Sequence, residues 1–476
     1  MKITTESPDN TYTQKVKRLI EQVYPNEWGH GSLFDDAKLY FYSGVKIAAE
    51  KQDVTQKLEN FVENDDEVQS KVALEDKLKT LTKSVEESRH ARLTSLRQVA
   101  LRLLELCDGD SYQETQLLSA KFLGTVMLIT RGKDRNFARL HQRLKPLYKA
   151  VLTLRLADKI IADNKLKHGY LAKFSDAHDR FQGDRDCMAR WQNELAIPLI
   201  VAAIMQDIGL QHPDSLAVLY GEDGKKDEFR VLDETERKRL LKLNFNHTLD
   251  YIQNGLGLPK YIGNDKAERA TFNDTQQHIN DFITQVVRDA YVSKVGIGEL
   301  VKIPQIYASI ILSTKPDYTR KALPKGYLLI EQLAKKGALN AKMAEAFISI
   351  VGYFPQGFGV TYIPRNEKGV ERDHYECAIV TQLNPKHPAE PIVRPVTRGL
   401  TYITSIADET VPRSTNLYFK ANHKKLMRIG KDRLAEIMSG LSANFTQEDI
   451  EALVPTCWEP SDYFSVKKYQ NLWNRY

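Results

Sequence analysis

Apolar residues at Leu93, Leu96, Ala100, Leu103, Leu104 and Cys107 fall three and four apart, which places them on one face of a helix. Arg89, Arg92, Arg97 and Arg102 take other positions. Further helical blocks run through residues 117–129 and 140–161, so the first 165 residues read almost wholly as helix. Residues 50–83 are charge-rich with an approximate heptad of Leu58, Val62, Val68, Val72 and Leu78. Such a run reads as a long exposed helix or helical connector, with pairing to a second copy of the chain as the alternative.

Helical periodicity continues from about 163 to 352, broken at Gly183, Gly221, Gly224, Gly255, Gly257, Gly296 and Gly298. After Gly352 the pattern changes. Residues 358–363, 374–382, 391–396 and 400–405 are short runs of β-branched and aromatic residues separated by Pro, Gly and Asn, as expected of a small antiparallel sheet. Helix returns over 420–440, and Thr446-Gln-Glu-Asp449 has the spacing of a capping box. The expected fold class is mainly α. A helical N-terminal domain (1–160) precedes a larger helical domain with C-terminal strands (161–405) and a helical extension (406–476).

Composition excludes several classes. Hydrophobic residues make up 42% and charged residues 27% of 476, and the net charge is 68 − 62 = +6. That is too apolar for disorder and too mildly basic for nucleic-acid binding on charge alone. Cys107, Cys187, Cys377 and Cys457 form no CxxC pair, which argues against a structural zinc site or a disulfide framework and fits a reducing compartment. The start, MKITTESPDN, is polar, and the most apolar stretches, 195–205 and 122–130, are too short for a bilayer span. The expectation is a cytoplasmic protein with no membrane insertion. GxSxG, P-loop and HExxH patterns are absent.

The most informative string is Ala196-Ile-Pro-Leu-Ile-Val-Ala-Ala-Ile-Met-Gln-Asp-Ile-Gly209, an apolar helix ending in a polar pair and Ile-Gly. It resembles the HD superfamily of metal-dependent phosphohydrolases, where the pair is His-Asp. Ile306-Tyr307 followed by Lys315-Pro-Asp-Tyr-Thr-Arg-Lys-Ala-Leu-Pro324 is similar to the D-x-Y-D-A-L…R-P-Y-R-x-A-L stretch of the HD-GYP subfamily. Gly352-Tyr-Phe-Pro-Gln-Gly-Phe-Gly-Val360 resembles the passage leading into that family's C-terminal hairpin. The resemblance covers about 200 residues, from about 165 to 400. It implies an HD-superfamily helical domain, and members mostly cleave cyclic di-GMP at a centre of two or three metal ions.

Such chemistry requires a dense set of His and carboxylate ligands. The positions implied by the resemblance are Gln206, Asp207, His247, His278 and Gln305. Gln replaces a ligand twice, and Leu210 stands where a lysine is usual. Gln277-His278 offers one histidine of a pair, no Gly-Tyr-Pro loop follows it, and Ala308 replaces a further Asp. The set is too depleted for a multi-metal centre. The expectation is therefore a degenerate HD-GYP-like protein of bacterial second-messenger signalling, without catalytic residues or cofactor. It would act as a sensor or an interaction scaffold for signalling proteins. The alternative is an active phosphodiesterase using iron or manganese at an atypical site.

Lys315, Arg320 and Lys321 are the expected phosphate contacts if cyclic di-GMP binds. Arg394-Pro-Val-Thr-Arg398 has the RxxxR spacing of PilZ domains, without the D/N-x-S-x-x-G element that should follow. Arg131-Gly-Lys-Asp-Arg135 reads as a solvated basic turn, with phosphate contact as the alternative. His168 and His178 read as structural rather than as leading ligands.

Overall fold

The computed structural model describes residues 8–24, 31–61, 68–130, 136–292, 296–372, 374–399, 401–426 and 455–474. The helices are α1 Thr11–Val23, α2 Leu33–Leu39, α3 Val45–Glu59, α4 Val68–Cys107, α5 Tyr112–Leu128, α6 Phe137–Ala162, α7 Gly169–Ala172, α8 Arg185–Arg190, α9 Ile197–Met205, α10 Pro213–Tyr220, α11 Glu234–Asp250, α12 Lys266–Tyr291, α13 Glu299–Ile311, α14 Gly326–Lys335 and α15 Ala341–Val351. The protein is mainly helical with a small antiparallel sheet near its C-terminal end, as the patterning predicts.

The strongest packing explains why α9 is apolar all round. It lies between α6 and α12, and every residue from Ile197 to Met205 is buried. A helix with no polar face has to be enclosed on all sides. Pro198 near its start supplies no N–H, which would orphan the carbonyl one turn back. A π-helical turn, Trp191–Ala196, precedes it, and the Tyr170 hydroxyl donates to the Glu194 carbonyl at 2.6 Å. α6 packs on both α9 and α13, so these three helices form the centre of the molecule.

The core does not draw the division at residue 160. One hydrophobic cluster runs from Val16 to Val411, and α6, which spans that position, is buried along most of its length. A second cluster joins the sheet to the C-terminal segment, including Tyr463, Phe464, Leu472 and Trp473. Chain ends also meet: the Asn10 N–H donates to Gln470 Oε1 at 2.7 Å.

Residues 45–107 fold back on themselves. α3 packs on α4, Lys77 pairs with Glu50 at 2.6 Å, and Val54 is buried between them. Val72, a heptad position, is 51% exposed, while Val62 lies outside the described residues.

Strands β1 Gly359–Tyr362, β2 Glu376–Val380, β3 Ile392–Pro395, β4 Thr397–Arg398, β5 Thr401–Tyr402 and β6 Glu409–Thr410 follow. The main sheet has the order β1-β2-β3-β6, all antiparallel, with Val360 opposite Ala378, Ile379 opposite Arg394 and Ile392 opposite Thr410. The run expected at 400–405 supplies only β5, which pairs with β4 in a separate hairpin, and β6 takes the sheet's outer place. Two residues are too few to show alternation, so β6 carries no sequence signal. The expected helix at 420–440 is described only to Leu426, where a turn of α-helix spans His423–Leu426. The rest of it, the 446–449 capping box and the basic turn at 131–135 lie outside the described residues. Among the described residues no helix is long and apolar enough to cross a membrane.

After α9 the chain turns through a short 3-10 element, Ile208–Gln211, pressed against α11. Gly209 makes the approach possible: its N–H donates to Thr248 Oγ1 at 3.1 Å, and its carbonyl accepts from Ser215. A Cβ here would lie 2.4 Å from the Asn244 carbonyl oxygen and 2.8 Å from the Thr248 nitrogen. Gly209→Ala is expected to cost about 1–3 kcal/mol in urea denaturation, the usual penalty for overpacking. Gly169→Ala, where a Cβ meets nothing within 4 Å, should stay within about 0.5 kcal/mol of wild type.

Candidate functional site

Where α6, α11, α12 and α13 surround the end of α9, an otherwise apolar core contains a compact polar cluster. It starts from the helix terminus. The last carbonyls of a helix have no partner within it, and that of Gln206 accepts from the Tyr291 hydroxyl at 2.7 Å. Asn244 Nδ2 in turn donates to the Tyr291 oxygen at 2.6 Å. Burial and the nearby Asp207 carboxylate push the Tyr291 phenol up, so it stays protonated and keeps donating.

Asp207 is the charged centre. The Lys149 ammonium, on α6, lies 2.5 Å from Asp207 Oδ2, with the lysine side chain fully buried and that of Asp207 24% exposed. Gln305 Nε2, on α13, donates to the same oxygen at 3.1 Å, and Gln206 Oε1 accepts from Lys149 at 3.3 Å. Burial pulls the Lys149 pKa down and the Asp207 carboxylate opposes it. One turn earlier on α6, Lys145 is brought down to about 8, chiefly by burial, with Asp207 raising it and Lys149 lowering it further.

The structure thus unites Gln206, Asp207 and Gln305, residues up to 99 positions apart in the chain. It does not bring the two histidines to them. His247 stacks on His212, with ring centroids 3.5 Å apart and planes within 5°. His278 lies exposed on α12, with Nδ1 3.3 Å from Asp274 Oδ2. Beside Asp207 stand Lys149 and Lys145, and around the Gln206 carbonyl stand Asn244 and Tyr291. Sequence reading missed all four. The detectable signal was Lys145 and Lys149 spaced four apart inside an apolar helical run, and Asn244 one turn before His247.

The residues present do not fit a metal centre at Asp207. Its carboxylate is already neutralised by the Lys149 ammonium, a second lysine, Lys145, stands nearby, and its further hydrogen bond comes from the neutral Gln305 amide. Among the described residues, the three side chains close enough to share an ion are His212, Asp214 and His247. There the imidazole planes lie parallel, so their in-plane lone pairs run side by side instead of converging. His212 Nδ1 also accepts the Asp214 N–H at 3.1 Å as the N-cap of α10. Burial lowers the pKa of both histidines, which suits neutral stacked rings.

The expected phosphate contacts are dispersed as well. Lys315 and Lys321 are exposed, but Arg320 is buried. Its guanidinium donates to the Met127 carbonyl and to Thr130, and pairs with Glu459 at 2.9 Å. Arg394 of the RxxxR string is likewise buried, bonding Asp408 Oδ1 at 2.7 Å and the Ser405 carbonyl at 2.8 Å. His178 packs against Tyr112 and Phe181, and His168 faces Phe282.

No family model, curated protein or solved structure matches the chain.

Two outcomes test the electrostatics. Asp207→Ala strands a buried ammonium and should cost roughly 3–5 kcal/mol in chemical denaturation, whereas Lys149→Met combined with Asp207→Leu should recover most of the loss. Lys145 binds its proton less tightly folded, at about 8, than unfolded, near 10.5. Between these values the unfolded chain holds more protons, so this group's contribution rises with pH. Lys145→Met should therefore be more stable than wild type at pH 7, and its advantage should shrink as pH climbs from 8 towards 10. Paired melts across that range read it out.

Proposed function

We propose that this chain is a non-catalytic relative of the HD-GYP phosphodiesterases, serving bacterial second-messenger signalling as a sensor or interaction scaffold. The observation that carries the reading is the Lys149 ammonium on Asp207, at 2.5 Å. Hydrolysis of a phosphodiester in such a fold draws on clustered divalent ions that polarise the phosphoryl group and lower the pKa of a bridging water. An ammonium supplies one positive charge and three N–H donors. It offers no open coordination position and generates no hydroxide. With glutamine amides at 206 and 305, the ion pair takes its further hydrogen bonds from neutral groups of the chain, which suits a structural core better than a reaction centre.

The meeting of Asp207 with Gln305 supports the HD-like reading, because these are two of the positions that the resemblance brings together. The occupied guanidinium groups of Arg320 and Arg394 weigh against a cyclic dinucleotide clamp built on either arginine.

Metal analysis of the purified full-length protein, prepared with iron and manganese present, tests the reading. The expected result is no stoichiometric metal and no turnover of cyclic di-GMP. Two or more equivalents of metal together with turnover would overturn it. Saturable cyclic di-GMP binding without metal favours the sensor, and absence of binding favours the scaffold.

A further inference from the structure

The C-terminal part of the chain carries a cleft in which the Asp207 cluster has no share. The β4–β5 hairpin, the segment 403–407 after it and the turn at 467–470 border an open space of about 650 Å³. Arg398 and Lys468 line it together with the Tyr402 and Tyr469 rings, and no carboxylate does. Both cations are exposed, and neither forms an ion pair among the described residues. The Lys468 ammonium sits over the Tyr469 ring, 4.6 Å from its centroid. Asp408, the acid next to the segment, is spent on the sheet: it accepts from Arg394 Nε at 2.7 Å and from Thr381 Oγ1 at 3.1 Å.

The walls are held from beneath. The buried Tyr463 donates its hydroxyl to the Ile403 carbonyl at 2.8 Å, stacks on Tyr469 at 4.2 Å between centroids and meets Tyr402 edge-on at 5.1 Å. Arg394 holds the Ser405 carbonyl at 2.8 Å. Two carbonyls of the segment are thus fixed, whereas the N–H groups of Thr404, Ser405, Ile406 and Ala407 have no partner among the described residues. Ile406, 63% exposed, adds an apolar side chain to the same cleft. A fixed backbone with open donors beside unpaired positive charge is a template for an added chain, whose carbonyls accept from the N–H groups and whose carboxylates meet the cations.

Other ligand classes fit less well. A small-molecule pocket encloses most of its ligand, yet five of the nine residues lining this cleft are exposed. Nucleic acid draws on a run of cations along its phosphates, and here there are two. We propose that the cleft is a docking site for an acidic peptide segment of a partner protein. The peptide lies extended along 403–407, with its carboxylates on Arg398 and Lys468 and an apolar side chain against Ile406. This goes beyond the HD-like reading and does not depend on it, since none of these residues belongs to the Asp207 cluster.

A display library of random peptides selected on the full chain, with counter-selection on the Arg398→Ala/Lys468→Ala double variant, tests the site. Both positions are exposed, so the double variant should melt as wild type does. Selected peptides are expected to carry Asp or Glu beside an apolar residue. In anisotropy titrations of the best labelled peptide, the double variant should bind about tenfold more weakly, the worth of two exposed charge pairs. Added salt should weaken binding, and Lys315→Ala, at an exposed lysine outside the cleft, should leave it unchanged. Arg398→Glu with Lys468→Glu should instead prefer the same peptide with Lys in place of each acid. Backbone amide exchange should slow at 404–407 when the peptide binds. No enriched peptide, enrichment of neutral or basic ones, unaltered binding by the double variant, protection confined to other segments, or tighter binding of oligouridylate would overturn the proposal. Stoichiometric metal with turnover would overturn the non-catalytic reading alone, so the two failures are separable.

Discussion

The ion pair between Lys149 and Asp207 is the interaction around which the centre of this protein is arranged. Two opposite charges in an apolar interior are tolerated only when they meet and their remaining hydrogen-bonding capacity is met as well. Here the carboxylate also accepts from Gln305 and the ammonium also donates to Gln206. Those contacts tie α6, the end of α9 and α13 together at one point. The Gln206 carbonyl, held by Tyr291, brings in α12, and Asn244 behind it brings in α11. Five helices are thereby registered by one polar knot, and α6 carries a second buried charged network in which Arg155 and Arg180 both pair with Asp158.

The knot also limits the chemistry. An ammonium does electrostatically what a bound cation would do, neutralising a carboxylate at the end of a buried helix, but it cannot exchange ligands. The same lysine occupies the carboxylate oxygen that a cation would otherwise take. Prolines inside α6, α9 and α13, at Pro146, Pro198 and Pro304, lie close in sequence to this centre. Each removes a backbone donor from a central helix. For Pro198 the consequence is visible in the Tyr170 hydroxyl, which takes up the carbonyl left over.

Much of the helical architecture is legible in residue spacing. The face defined by Leu96, Ala100, Leu103, Leu104 and Cys107 is buried as its periodicity predicts, and three of the four expected strands lie in the main sheet. The site is legible only in part. Asp207, Gln206 and Gln305 stand out because a polar pair interrupts an apolar helix and because the strings around them resemble a known pattern. His247 and His278 drew attention as metal-binding residue types, yet helical phase turns His247 towards His212 and His278 towards solvent. Asn244 and Tyr291 went unnoticed because neither amide nor phenol is distinctive in a sequence of this length.

What the sequence determined by itself is periodic and local: helix where apolar residues recur every three or four positions, strand where β-branched residues follow Gly352, and complete enclosure of α9 because it has no polar face. What only the tertiary structure decided is which distant groups share a charge. Lys149 lies 58 positions from Asp207, and Gln305 lies 98 positions beyond it. Coulomb energy and burial depend on distances in space, so nothing in the local pattern around Lys149 marks it as the partner of a carboxylate. The packing of α6 against α9 and α13 makes it one.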